Sequence, residues 1–184
     1  YAGITKGVLL EHLPKQYCVY LRLAAEGERL RGAAVYAGHP NVCRIRLLDG
    51  ARTLAEQELT LRPAGDYSTA EFELERPEGL IDWQPGNPKL YTLEAQTEGE
   101  TVAIETGFRS IRAEGAALLL NQSPFLVRGV CMHEEDLHLG SALDHAAIER
   151  NLSLVQELGC NFVRLAHYPH ADETLELCDQ NGLC

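Results

Sequence analysis

The stretch NFVRLAHYPH, Asn161 to His170, decides how the second half of this chain is read. It runs as a short apolar segment from Phe162 to Ala166, interrupted by Arg164, and stops on His167, Tyr168 and Pro169. An apolar run of that length, bounded by turn residues, predicts a buried strand. Upstream, DHAAIERNLSLVQELG places Ile148, Leu152 and Val155 on one helical stripe, with Leu158 as a further candidate. Asp144 suits the N-cap of that helix and Gly159 its end. Before it, FLVRGVCM is a second nearly continuous apolar strand. After His170, ADETLELCDQNG predicts a second helix, acidic in its first turn and ended by Gly182. Strand, helix, strand, helix is the order of parallel βα units, whose strands are buried on both faces.

Up to about Arg112 the period is two instead. YCVYLRL puts Tyr17, Val19, Leu21 and Leu23 on one face. NVCRIRLLD alternates Cys43, Ile45 and Leu47 against Val42, Arg44 and Arg46. STAEFELE sets Phe72 and Leu74 opposite Glu71, Glu73 and Glu75. Turn residues recur between these runs, as in Gly38-His39-Pro40, Asp49-Gly50 and Pro85-Gly86-Asn87-Pro88. Short strands at this spacing predict an immunoglobulin-like antiparallel β-sandwich over residues 1–112, with an α/β segment over 113–184. Two parallel strands and two helices cannot cover both faces of a sheet, so 113–184 reads as the opening of a larger α/β domain. The start at Tyr1, the single methionine at Met132 and the stop at Cys184 fit an excerpt of a longer protein. In such an excerpt the strand edges lack neighbours, and residues beyond about 113 are expected to repack, to pair with another copy, or to order poorly.

The 184 residues carry a formal charge of −11, which argues against a binder of nucleic-acid phosphates. No apolar run approaches the roughly 20 residues of a membrane helix, so a soluble cytoplasmic protein is expected, with no membrane partner. The six cysteines form no C-x-x-C pair and four lie in apolar runs, as buried free thiols in a reducing compartment do. Trp83 is the only tryptophan and is expected to pack inside the sandwich or at its seam.

Ligands of parallel α/β folds meet the protein at the carboxyl ends of the strands. Both apolar strands end in histidine: His133, followed by Glu134, Glu135 and Asp136, and His167. Neighbouring parallel strands lie about 4.8 Å apart, so the two tips share one surface. Two imidazoles with nearby carboxylates can hydrogen-bond hydroxyl groups or bind a metal; equally, they can be rim residues that only shape loops. Arg164 sits inside an apolar strand, where a buried guanidinium needs an anion that this strand does not supply. Its alternative is a side chain that snorkels from the strand end.

Three stretches carry a resemblance. GFRSIRAEGAALLLNQSPFLVRGVCMHEE and GCNFVRLAHYPHADETLELCDQNGL are similar to the entrance of the catalytic barrel of family 2 glycoside hydrolases, which include β-galactosidases and β-glucuronidases. WQPGNPKLYTLEA resembles a motif on the middle sandwich domain of that family. The resemblance implies a sandwich followed by a (β/α)₈ barrel cut after its second βα unit, with a sugar-binding domain ahead of Tyr1. It implies that His133 and His167 bind the glycone sugar of a carbohydrate substrate, and that Arg164 pairs with the carboxylate nucleophile. Glu135 stands where some members place an Asp that touches the sugar. Cys131 and Ala166 depart from the family's common Asn and Ser. The catalytic carboxylates, both Glu, are expected downstream of Cys184, as are ligands for any magnesium; no cofactor is expected in this chain. The 184-residue chain alone is therefore expected to be inactive, its parent an O-glycosyl hydrolase that could be a homo-oligomer. The competing reading is a non-catalytic β-sandwich spacer or interaction module.

Overall fold

The computed structural model describes residues 4–184; the first three residues of the expected sandwich lie outside it. The chain divides into two compact units, residues 11–83 with 89–111, and residues 4–10 with 84–88 and 112–184. Among the described residues most of the secondary structure is antiparallel β-sheet, with two helices and one parallel strand pair.

The first unit holds eight strands: β1 (Tyr17–Glu26), β2 (Arg29–Ala37), β3 (Val42–Asp49), β4 (Arg52–Thr60), β5 (Arg62–Ala64), β6 (Tyr67–Glu75), β7 (Tyr91–Gln96) and β8 (Thr101–Thr106). They form two four-stranded sheets, β1-β2-β6-β5 and β4-β3-β7-β8. One apolar core takes Leu30, Tyr36 and Phe72 from the first sheet and Ile45, Leu47 and Leu93 from the second. The alternation read in β3 holds, with Cys43, Ile45 and Leu47 fully buried. In β1 it does not. A bulge between Cys18 and Tyr20 breaks the register, so Val19 is exposed and Cys18 takes its place against the core. One extra residue in a strand swaps the faces of everything before it. Trp83 is fully buried within this unit, and the Arg109 guanidinium lies 4.8 Å over its ring. That position leaves no indole face for stacking on a ligand.

The second unit contains β9 (Ile111–Glu114), β10 (Ala117–Leu120), β11 (Ser123–Pro124), β12 (Gly129–Met132), α1 (His145–Glu157), β13 (Phe162–Leu165) and α2 (Asp172–Asn181). β12 and β13 pair in parallel, Cys131 opposite Arg164 and Met132 opposite Leu165. Asp144 caps α1, its carboxylate accepting from Ala147 N at 2.9 Å. Removal of that cap (Asp144→Ala) is expected to cost about 1 kcal/mol, measurable as a lower denaturation midpoint of this unit. Gly159 and Gly182 both adopt positive φ and end the helices as expected. Leu158 leaves the stripe: it is 72% exposed, while Ile148, Leu152 and Val155 are buried.

Two expectations are corrected here. The parallel strands are buried on one face only. Val130, Met132, Val163 and Leu165 face α1 and α2, while Cys131 and Arg164 lie exposed on the other face. Nor does the segment beyond residue 113 need a second copy to become compact. Ile148, Leu152 and Val155 of α1, Val163 of β13, and Leu177 and Cys178 of α2 close a core of their own. Two helices on one side of a two-stranded pair suffice for that core, because the strands alternate and only one face is apolar.

Candidate functional site

The site grows from the register of β12 and β13. Because Met132 is opposite Leu165, the residues that follow leave the two strands side by side. The rings of His133 and His167 stand 5.9 Å apart, close to perpendicular at 79°. The Ala166–His167 peptide is cis. Tyr168 lies 5.9 Å from His133, and its hydroxyl accepts the backbone N–H of Glu134 at 2.8 Å. That bond ties the loop after β13 to the loop after β12, so the two histidines share one rim. Tyr168 thus joins the two loops through its hydroxyl.

Arg164 is not buried, contrary to its placement inside an apolar run. It projects from the face that the helices do not cover. Its Nη2 lies 3.3 Å from His167 Nδ1 and its Nη1 3.9 Å from Cys131 Sγ. A guanidinium only donates, so His167 Nδ1 is the acceptor in this contact. With Nδ1 accepting, the ring proton sits on Nε2, which is then a donor.

Glu135 is exposed and lines a cavity of about 380 Å³ together with His133, Tyr168, Ser141, Thr5 and Lys6. The structure thus brings His133, His167, Glu135 and Arg164 to one end of the parallel strands. Among the described residues no three His, Cys, Asp or Glu side chains converge on a point. The described residues therefore do not fit a magnesium site.

Glu134 is the group the sequence reading left without a role. It is 5% exposed. Its Oε1 accepts from Ala171 N at 2.8 Å and from Thr174 Oγ1 at 2.9 Å, and its Oε2 meets Lys6 Nζ. Burial pushes the carboxyl upward, but Lys6, the Ala171 N–H, Thr174 and His170 together hold it below the usual range. One signal could have found it. The residue at the N-cap of α2 is Ala171, which has no side chain able to cap, so the helix start needs an acceptor from elsewhere. His170 is buried to 2% exposure beside this carboxylate and stacks on Tyr168 at 4.7 Å.

The cysteines are all free. Burial pushes the Cys178 thiol up to about 11 and raises Cys18 and Cys43 as well, which suits inert packing rather than nucleophilic use.

Residues 111–184 match the family described as glycosyl hydrolases family 2, TIM barrel domain. The β-galactosidase of Aeromonas hydrophila is 30% identical, over 99% of this chain and 20% of its own length. The β-glucuronidase of Homo sapiens is 27% identical, over 100% of this chain and 29% of its own length. Among solved structures, the β-glucuronidase of Faecalibacterium prausnitzii superposes with a TM-score of 0.79 at 29% identity, covering 92% of this chain and 27% of that one. The chain spans less than a third of the length of each of these proteins. With the barrel-domain match and relatives that run the length of the chain, the chain belongs to family 2 of the glycoside hydrolases.

Proposed function

We propose that the chain is part of a retaining β-glycosidase that hydrolyses terminal β-linked sugars. In this reading the eight-stranded unit, residues 11–83 with 89–111, is an immunoglobulin-like sandwich, and 113–184 holds the first two βα units of a (β/α)₈ barrel. The observation that carries it is the pair of imidazoles 5.9 Å apart at the carboxyl ends of two hydrogen-bonded parallel strands, with a guanidinium beside them. The exposed face bearing Cys131 and Arg164 is then the barrel interior, and α1 and α2 its outer ring.

His133 and His167 are suited to hold hydroxyls of the glycone, His167 with a donor from Nε2. Glu135, at the cavity wall, is an acceptor for a further hydroxyl. Arg164 would keep a nucleophilic carboxylate ionised by lowering its pKa. Retention requires two carboxyl groups about 5–5.5 Å apart, one as acid/base and one as nucleophile. Glu134 is already committed to Ala171, Thr174 and Lys6, so the rim here supplies the sugar cradle and not the catalytic pair. That pair is assigned to glutamates of other barrel strands. The relatives include β-galactosidases and β-glucuronidases, and the reading stays at the class of terminal β-glycosides. A reducing, cytoplasm-like compartment accords with six free thiols.

The test uses aryl β-glycosides. The 184-residue chain is expected to give no turnover, and clear turnover would refute the assignment of the catalytic pair to other strands. In a longer polypeptide that includes the rest of the barrel, His133→Ala and His167→Ala are each expected to lower kcat/KM by roughly 10–100-fold, the loss of one or two hydrogen bonds to hydroxyls. Variants that keep the parent kcat/KM would remove the imidazoles from the sugar site.

A further inference from the structure

The contacts of Glu134 divide cleanly between its two oxygens. Oε1 faces the start of α2, accepting from Ala171 N and Thr174 Oγ1, and His170 Nδ1 lies 3.2 Å from it without hydrogen-bond alignment. Oε2 faces residues 4–10 and takes the Lys6 ammonium. The backbone N–H of the same residue is held by Tyr168, whose ring covers His170. Thr5 and Lys6 line the same cavity as His133 and Glu135. Ile4, Val8, Leu9 and Leu10 are all at least 79% exposed, so apolar burial of these side chains does not hold the segment down. Among the described residues, the Lys6–Glu134 ion pair is the side-chain contact that ties this segment to the rim.

We propose that Glu134 is the positioning residue of the rim, with Oε1 fixing the start of α2 and Oε2 fixing residues 4–10, so that Lys6 and Thr5 form a wall of the cavity beside His133. That the wall faces a sugar rests on the glycosidase reading; that the carboxylate fixes it does not. Glutamate is required because the two sets of donors approach opposite oxygens. A glutamine has one acceptor oxygen, which the Ala171 and Thr174 donors claim, and it turns its NH₂ toward Lys6, where two donors face each other. The Glu134→Gln variant therefore separates the two functions: α2 stays capped and residues 4–10 come free. Alanine releases both.

The experiment is limited digestion of the 184-residue chain with a lysine-specific protease, scoring cleavage after Lys6 against cleavage after Lys15. In Glu134→Gln the ratio is expected to rise roughly five-fold, the change in opening that follows loss of one charge-assisted contact. Amide exchange at Ala171 and Thr174 is expected to stay as in the parent chain, and to accelerate only in Glu134→Ala. An unchanged cleavage ratio overturns the proposal, as does equal loss of α2 protection in both variants, which would reduce Glu134 to a general stabiliser. In a longer polypeptide with β-glycosidase activity, Lys6→Met is expected to raise KM about five-fold without lowering kcat. An unmoved KM overturns the wall's contact with sugar. Absence of turnover in the unsubstituted longer protein counts against the glycosidase reading, and the protease result then still decides the positioning role.

Discussion

Replacing Gly32 by valine is expected to lower the stability of the sandwich unit by about 3 kcal/mol or more, a steep fall for one surface-independent substitution. Gly32 lies on β2, opposite Phe72 of β6. A Cβ at this position would lie 2.2 Å from Phe72 Cζ and 2.6 Å from both Cε atoms, so the ring stands directly over the glycine. Phe72 is 6% exposed and belongs to the core shared by the two sheets. The ring cannot slide aside without displacing neighbours that pack as densely as a crystal. Either it leaves the core, at a cost near that of Phe→Ala, or the β2–β6 ladder opens. For a unit of about 100 residues, a loss of 3 kcal/mol corresponds to a melting temperature lower by roughly 12–24 °C. Calorimetry checks this, with Gly99→Ala as the comparison, because the nearest atom to a Cβ there is 3.8 Å away. A Gly32→Ala, Phe72→Leu pair is expected to recover much of the loss, since it shortens the ring that blocks the site. A melting temperature for Gly32→Val within about 2 °C of the parent would mean that Phe72 does not occupy this position.

Gly32 also shows which features were legible in the sequence and which were not. The alternation in β3 and β6 located two core faces, because side-chain direction in a strand follows a fixed period. It could not show that a ring on β6 occupies the space left by a glycine on β2, since cross-strand partners depend on register. The bulge at Val19 defeated the same period from within one strand, with no glycine or proline to mark it. In the second unit, helix ends at Asp144, Gly159 and Gly182 were readable because capping is local chemistry. Burial of β12 and β13 on both faces was not, because it assumed neighbours that a short βα segment does not itself contain. The rim followed the same division. Two strand-end histidines were visible as a pattern, and parallel pairing was enough to bring them together. Glu134 was passed over because its partners, Lys6 and Thr174, are 128 and 40 residues away in the chain. An acid beside a histidine draws attention to the histidine, whereas the uncapped Ala171 was the residue that needed the acid.

The second large effect is expected at Arg164. In a longer polypeptide with β-glycosidase activity, Arg164→Met is expected to lower kcat by roughly 10²–10³-fold, the scale of removing one preorganised charge partner from a reacting site. Two roles for this guanidinium make different demands. It donates to His167 Nδ1 at 3.3 Å, so its loss frees an imidazole that the proposed function places on the sugar. If that were its whole contribution, KM would rise and kcat would hold, because ground state and transition state would lose the same contact. The second role, as partner of a nucleophilic carboxylate, acts on the reacting group itself. A cation within reach favours the ionised carboxylate and lowers its pKa; without the cation the pKa rises. More of the nucleophile is then protonated at any given acidic pH, and the acidic limb of kcat/KM against pH moves upward. Arg164→Lys retains a charge without the planar fork, and is expected to fall between the parent and the methionine variant. A kcat loss with an upward shift of the acidic limb assigns Arg164 to the nucleophile. A change confined to KM assigns it to His167 alone. The second outcome would leave the two-histidine cradle standing but would remove the guanidinium from the chemistry, and with it the reason for a charged side chain on the open face of an otherwise apolar strand.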